Sequence, residues 1–325
     1  GEGGSGRRGG GGERSDESDI QRQQSIPKEV AEEVEVPTYI IFGCDLLQTD
    51  DKGGIAAVVS SLDGTLGRWH SFVALQPKGI THITSTTEAV KDGLMAYFRR
   101  NRGVKPDRIV FFRSSVSDGD VEGVKALEYV MARRACFELD PEYVPPMTWV
   151  ACRKAHGTRL LPSTSAGGAA ALDRKGNTVP GVLVDSGITL PHSFHFYLNS
   201  HSGIQGTNRP THYQVLIDEI GFGGDGMQFF AYWLCYLFQR CTRSVSLCPA
   251  VYYAALAIAR IQILMNADPN KWSQSESSSD DAGRRGGKEG QEGKKGRESR
   301  GTKKEGKAMP QPPVHRDIVT KMFYI

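Results

Sequence analysis

The sequence predicts an α/β fold built from a mixed sheet with helices on its faces. Three observations indicate this class. Apolar residues are concentrated between about residues 37 and 270, whereas both flanks are polar and rich in glycine and charge. Within that stretch, three β-type runs come first, and helical and strand-type periodicities then alternate along the chain. Such an order is typical of a sheet that packs helices against its faces.

The first ordered segment is predicted to be a three-stranded antiparallel meander. Runs rich in β-branched and aromatic residues occupy 38–47, 55–63 and 69–77. The connections between them are short and contain Gly53-Gly54 and Asp63-Gly64. Because such residues favour the tight turns between antiparallel neighbours, we expect the three runs to pair in sequence order.

Helices and strands alternate after the meander. Ser85 and Glu88 have the spacing of a helix capping box, and apolar residues follow at helical spacing. The runs 108–115 and 147–154 are almost wholly apolar at their centres, which indicates strands buried on both faces. A helix is predicted between them from Val121 to Leu139. We expect one face of this helix to contain Val124, Leu127, Met131 and Ala135.

Three shorter strands and two helices complete the predicted core. The strands lie at 181–188, 193–200 and 211–218, and the helices at 227–238 and 251–265. The apolar run of the last helix is shorter than the roughly 20 residues that cross a bilayer. It also contains Arg260, whose burial would require an anionic partner. We therefore expect a buried helix and no membrane span.

Composition divides the chain into four segments. Residues 1–36 form a Gly- and Arg-rich leader, and 37–270 form the folded domain. Residues 271–313 are a charged low-complexity insert, and 314–325 are an apolar tail that we expect to pack back on the domain. The leader and the insert contain too few apolar residues to form a core, so we expect both to be disordered.

Charge and cysteine content narrow the class of protein. The net charge is only +3, so an anion-binding surface must come from local clustering. The six cysteines form no CxxC pair, which is typical of reduced thiols in an intracellular protein. The first residues do not have the apolar run of a signal peptide. We expect a cytoplasmic location, with the nucleus as the second compartment.

Four stretches carry a resemblance to a known family. They are RKAHGTRLL (153–161), VLVDSGITLP (182–191), FYLNSHSGIQGTNRPTHYQVL (196–216) and QRCTRSVSLCPAVYYAALAIAR (239–260). In this order they resemble the Piwi domain of eukaryotic Argonaute proteins, and the likeness covers about 38–270 and the final dozen residues. The resemblance implies a ribonuclease-H-like fold, which agrees with the predicted order of strands and helices.

The resemblance also implies a guide-RNA interface. Family residues at the matching positions contact the guide backbone, and the residue matching Arg260 contacts the guide 5′ phosphate. Arginine forks and hydroxyl groups are common phosphate contacts. Ala155 and Phe238 depart from the family, in which a basic residue and a tyrosine are common at these places. The matching backbone-contact positions are Lys154, Arg159, His201, Arg209, Arg240, Arg243, Ser246 and Tyr252.

The cutting site of the family is the second feature that the resemblance implies. Its metal-binding positions hold Asp, Glu, Asp and then His or Asp, and here they read Asp45, His82, Ser114 and Ala255. Cleavage of this type uses two divalent metals about 4 Å apart, which need several oxygen ligands. One carboxylate does not supply them, so we expect no resident metal, with Mg²⁺ at Asp45 left open. The neighbouring acids that could substitute are Asp118, Asp120 and Asp185.

These features favour a protein that binds a small guide RNA and a complementary target RNA in gene silencing, without cutting the target. Binding would require no cofactor, and silencing partner proteins would act downstream. Two alternatives remain open from the sequence. One is a guided endoribonuclease with a rebuilt metal site, and the other is a truncated Piwi module that acts only through protein interactions.

Overall fold

The computed structural model describes residues 37–49, 53–114, 116–161 and 172–267, together with 322 and 324. Its strands are β1 (Tyr39–Thr49), β2 (Gly53–Ser61), β3 (Trp69–Gln76), β4 (Arg108–Arg113), β5 (Met147–Arg153), β6 (Val182–Val184), β7 (His195–Asn199) and β8 (Thr211–Asp218). Its α-helices are α1 (Thr86–Arg100), α2 (Val121–Gly123), α3 (Tyr129–Leu139), α4 (Gly223–Leu234) and α5 (Pro249–Ala267). A π-helical segment (Val124–Glu128) joins α2 to α3.

The strands form one mixed sheet in the order β3-β2-β1-β4-β5-β8-β7-β6. The first three strands pair antiparallel in sequence order, as the short turns predict. Strand β1 then pairs in parallel with β4, and β4 with β5. Strand β8 runs antiparallel to both β5 and β7. The predicted α/β class, a ribonuclease-H-like mixed sheet flanked by helices, is confirmed.

Each face of the sheet packs against different helices. Successive residues of β1 alternate between the two faces, so Ile41 joins the core under α4 and α5, and Phe42 joins the core under α1 and α3. Gly43 allows α5 to approach closely, because a Cβ at this position would lie 2.1 Å from the carbonyl oxygen of Ala250. Helix α5 therefore begins directly against the central strand.

The helical stretch from Val121 to Leu139 is present, but its predicted buried face is wrong at Leu127. This side chain is 40% exposed, and Glu128 is buried in its place. The π-helical segment accounts for the difference, because its wider turn changes which residues face the sheet. The predicted capping box is also wrong, since Ser85 makes no side-chain bond to the start of α1.

Helix α5 is long and apolar enough to span a membrane by length and composition alone. Its first three turns nevertheless pack against the sheet, with Val251, Tyr253 and Ile258 among the buried residues. The expected buried helix is present over this part. Arg260 corrects the expectation of a buried guanidinium: it lies on the exposed side of the helix, where water can hydrate its charge.

Candidate nucleic-acid interface

The sheet topology gathers several predicted contact residues at one edge. Lys154 directly follows β5, His201 lies two residues after β7, and Arg209 lies two residues before β8. Because β8 is antiparallel to both β5 and β7, the end of β5, the start of β8 and the end of β7 coincide. Three residues that are distant in sequence are thereby placed on the same edge.

A chain of polar contacts connects this edge to α5. The Lys154 ammonium donates to the hydroxyl of Ser246, and the Ser246 hydroxyl lies 2.6 Å from the hydroxyl of Tyr252 in the first turn of α5. An Arg209 guanidinium N–H donates to the carbonyl of Lys154 at 3.3 Å. Four of the predicted contact residues therefore form one connected group, which we call the basic cluster: Lys154, Arg209, Ser246 and Tyr252.

The electrostatics of the basic cluster favour an anion. Burial, and then the neighbouring Arg209 guanidinium, lowers the pKa of Lys154 to about 8. Burial, and then the Lys154 ammonium, lowers the pKa of His201 to about 4. Burial is the larger cause of both shifts, and in each case a neighbouring cation adds to it because, among the described residues, no anion lies between the two groups to offset the repulsion. A phosphate in contact with the Lys154 ammonium would supply that compensation.

The hydroxyl groups of Thr211 and Ser200, which no sequence pattern marks, hold the loop that carries Ser246. Thr211 donates to the carbonyl of Ser246, and Ser200 donates to the carbonyl of Val245 at 2.6 Å. The Val245 N–H donates to the carbonyl of Cys235 at 2.8 Å, so the loop closes back on the end of α4. Serine and threonine are common near strand ends in any sheet, so residue type alone does not indicate that these two side chains hold the loop.

The other predicted contact residues lie around the basic cluster. Arg240 and Arg243 are exposed in the same closed loop. Arg159 donates to the carbonyls of His156 at 3.2 Å and Thr158 at 2.8 Å, within its own loop. Arg260 is eight residues beyond Tyr252 on α5, about 12 Å along the helix. Within the described ranges, neither Arg159 nor Arg260 forms a hydrogen bond or an ion pair with the basic cluster.

The positions that match the family's metal ligands are spread over four segments of the fold. Asp45 is half-buried on β1, and its carboxylate accepts the Leu46 N–H at 3.0 Å. Ser114 follows β4, and its N–H donates to the carbonyl of Cys44 at 2.9 Å. His82 lies in the loop between β3 and α1, and Ala255 lies on α5.

A buried ion pair fixes the loop that carries His82. Arg113 and Glu128 are 0% and 1% exposed, and the Arg113 Nε lies 3.1 Å from a Glu128 carboxylate oxygen. Arg113 also donates to the carbonyl of Thr81 at 3.1 Å, and Glu128 accepts the N–H of Ile83 at 2.8 Å. The backbone on either side of His82 is therefore held without any metal.

The neighbouring acids Asp118, Asp120 and Asp185 already form ion pairs or hydrogen bonds with other residues of the chain. Asp118 forms an ion pair with Arg153, and Asp185 accepts the side-chain amide of Gln228 at 3.0 Å. Asp120 accepts the Ser117 hydroxyl, and this hydrogen bond lowers the pKa of its carboxyl. Across the described part of the chain, no group of three or more His, Cys, Asp or Glu side chains is placed to hold a metal ion. The residues present do not fit a two-metal centre.

The sheet order defines a ribonuclease-H-like domain, and the basic cluster lies where three of its strands end or begin. The chain belongs to the Argonaute/Piwi family, because its residues 22–266 match the Piwi domain. It is 39% identical over 269 residues to protein argonaute MEL1 of Oryza sativa subsp. japonica, covering 78% of this chain and 25% of that protein. It is 40% identical over 261 residues to protein argonaute 5 of Arabidopsis thaliana, covering 75% of this chain and 26% of that protein.

Solved structures agree with this assignment. The C-terminal lobe of a budding yeast Argonaute matches with a TM-score of 0.74 and 27% identity, over 88% of this chain and 53% of that one. A Kluyveromyces polysporus Argonaute with a guide RNA matches with a TM-score of 0.68 and 29% identity, over 74% and 28% of the two chains. The present chain spans about a quarter of the length of the curated relatives it matches.

Proposed function

We propose that this chain binds a small guide RNA and its complementary target in RNA-mediated gene silencing, and that it does not cleave the target. The observation that carries the proposal is the contrast between two sites in one domain. The basic cluster is connected, partly buried and electropositive. The positions matching the family's metal ligands retain one carboxylate, that of Asp45.

Binding under this proposal depends on the protein's own cations and hydroxyls. Lys154 supplies a positive charge whose lowered pKa returns towards its ordinary value when a phosphate approaches. Arg240 and Arg243 extend the positive surface along the closed loop. On this proposal RNA binding requires no cofactor, because these cations and hydroxyls can contact phosphate directly.

The test follows binding and cleavage in the same tubes. The full chain is incubated with a 5′-phosphorylated guide RNA and a labelled complementary target in Mg²⁺, in Mn²⁺ and in a chelator. We expect guide-dependent target binding that weakens with salt, persists in the chelator and leaves the target intact. Lys154→Ala should weaken binding, whereas Lys91→Ala should not, because Lys91 pairs with Glu138 between the two helices that cover the opposite face of the sheet.

Two results would contradict the proposal. Cleavage at one fixed position, abolished by Asp45→Ala, would show a guided endoribonuclease with a rebuilt metal site. Binding of neither guide nor target would contradict the proposal and favour the alternative of a truncated Piwi module that acts through protein interactions.

A further inference from the structure

The turn at residues 172–178 is fixed to one end of the sheet. Leu172 and Thr178 pair across it as an isolated β-bridge. Asn199, the last residue of β7, is fully buried, and its amide donates to the Thr178 carbonyl and to the Thr178 hydroxyl, each at 3.0 Å. The turn therefore has a fixed position relative to β7, although it contributes no strand to the sheet.

Asp173 in this turn holds the start of the loop 201–208. One of its carboxylate oxygens accepts the Asn177 N–H at 2.8 Å, which closes the turn. The other oxygen accepts the Ser202 hydroxyl at 3.2 Å and the Gly203 N–H at 3.3 Å. These hydrogen bonds, chiefly the one from Asn177, lower the pKa of the Asp173 carboxyl, so it stays ionised and able to accept at neutral pH.

Asn177 holds the end of the same loop. The residue is 7% exposed, its Nδ2 donates to the Gly206 carbonyl at 3.0 Å, and its Oδ1 accepts the Asn208 N–H at 2.9 Å. The Asn208 amide donates in turn to the carbonyl of His201 at 3.3 Å, across the loop. One asparagine thereby fixes the backbone directly before Arg209.

The loop fits closely against these side chains, which we call the loop clamp: Asp173 and Asn177. A Cβ on Gly203 would lie 2.2 Å from the Asn208 Oδ1 and 2.8 Å from the Asn177 Nδ2. Any side chain at residue 203 would therefore push the loop away from the turn. The clamp and the loop meet over a contact that only glycine permits.

The loop clamp can act on RNA only through the loop. Both polar atoms of the buried Asn177 side chain are bonded to the loop, whereas Arg209 is exposed and donates to the carbonyl of Lys154 at 3.3 Å. A loop that is ordered before its ligand arrives loses less conformational freedom on binding. We propose that Asn177 and Asp173 are positioning residues for RNA binding, which order the loop so that Arg209 is already held beside Lys154.

This inference rests on the proposed RNA binding and names residues that prepare it. The experiment measures the binding of a fluorescent 5′-phosphorylated oligoadenylate to the full chain at several salt concentrations. Asn177→Ala should raise the Kd roughly 3- to 30-fold, because the loop must then be ordered as the RNA binds. Gly203→Ala, which disturbs the same contact from the loop side, should weaken binding to a similar degree.

Asn101→Ala is the matched control for a lost asparagine. It also removes two amide hydrogen bonds, to the carbonyls of Leu62 and Tyr97, but at the end of α1. This variant should bind RNA as the wild type does. Circular dichroism shows for each variant whether the chain is folded at the assay temperature, and Gly203→Ala carries the test if Asn177→Ala is unfolded.

A double-mutant cycle separates positioning from a general loss of stability. If the loop clamp acts through Arg209, Arg209→Ala should weaken binding much less in the Asn177→Ala background than in the wild type. Arg240→Ala, in a different loop, should keep its full effect in both backgrounds. Asn177→Ala removes no cation, yet the slope of log K against log salt should become shallower, as it should for Arg209→Ala.

The outcomes distinguish this inference from the proposed function. Wild-type affinity in Asn177→Ala and Gly203→Ala, together with weak binding in Lys154→Ala, overturns the inference and leaves the proposed function intact. Weak binding in Asn177→Ala with an undiminished effect of Arg209→Ala also overturns it, because the loss then does not act through the loop. Failure of the wild type to bind RNA removes both proposals.

Discussion

The lowered pKa of Lys154 makes RNA binding depend on pH in a calculable way. The free protein holds this ammonium at a pKa of about 8, because it is buried and lies near Arg209. A bound phosphate favours the charged form and returns the pKa towards its ordinary value of 10.5. Binding is therefore strongest below pH 8 and weakens as pH rises through 8, since the free protein then loses a proton that the complex keeps.

These two pKa values set the size of the effect. Between pH 7 and pH 9 the affinity should fall about tenfold, and at pH 8 each binding event should take up about half a proton. His201 and Tyr252 should not contribute to the pH dependence between pH 7 and 9. Burial lowers the pKa of His201 to about 4 and raises that of Tyr252 above its usual value.

Fluorescence anisotropy with labelled oligoadenylate at constant ionic strength measures the affinity, and adenine does not titrate in this range. Calorimetry in two buffers of different ionisation enthalpy counts the protons. Lys154→Arg provides the matched control, because its guanidinium stays charged throughout and should abolish the pH dependence. An affinity that is constant from pH 7 to 9 in the wild type, or an equal decline in Lys154→Arg, would refute the assignment.

Three further predictions concern stability and are measured by urea unfolding of the full chain. Arg113→Ala should lower the free energy of unfolding by about 3–5 kcal/mol, because it leaves the buried Glu128 carboxylate without its cation. The double variant Arg113→Met with Glu128→Leu should lose less stability, because no buried charge remains. Burial, and then the neighbouring His195, lowers the pKa of His212 to about 4. Because an unfolded histidine takes up its proton near pH 6.5, the free energy of unfolding should be unaffected by this group above pH 6.5 and should fall by about 3 kcal/mol as the pH drops to 4. His212→Gln should show a smaller decline over the same range. Gly43→Ala should destabilise the domain by about 1–3 kcal/mol through overpacking against α5, whereas an equal loss in Gly64→Ala, where a Cβ meets nothing within 4 Å, would contradict this reason.

Local signals allowed much of the fold to be predicted. The turns at Gly53 and at Asp63 set the antiparallel pairing of the first three strands, which the observed register confirms. The apolar runs of β4 and β5 indicated central strands, and both lie in the middle of the sheet. Such signals act between residues close in sequence, so a pattern of residue types is enough to reveal them.

The remaining features depend on contacts between distant segments. Nothing near Lys154 or His201 shows that β8 lies between their strands, and this insertion is what brings them to one edge. Regular helical spacing favoured burial of Leu127, but the π-helical turn and the buried Arg113–Glu128 pair place Glu128 there. The apolar residues around Arg260 indicated a buried stretch of helix, so the side of the helix on which Arg260 lies did not follow from its neighbours in sequence.

The Arg113–Glu128 pair has a consequence for how the position of His82 can change in sequence. The peptide segment from Thr81 to Ile83 is tied down through its backbone groups, and the side chain of His82 takes no part in those bonds. That segment therefore keeps its shape whichever side chain residue 82 carries. The bonds that stabilise this segment are therefore independent of the side chain at residue 82. A substitution of His82 can add or remove a metal ligand with little effect on the stability of the domain.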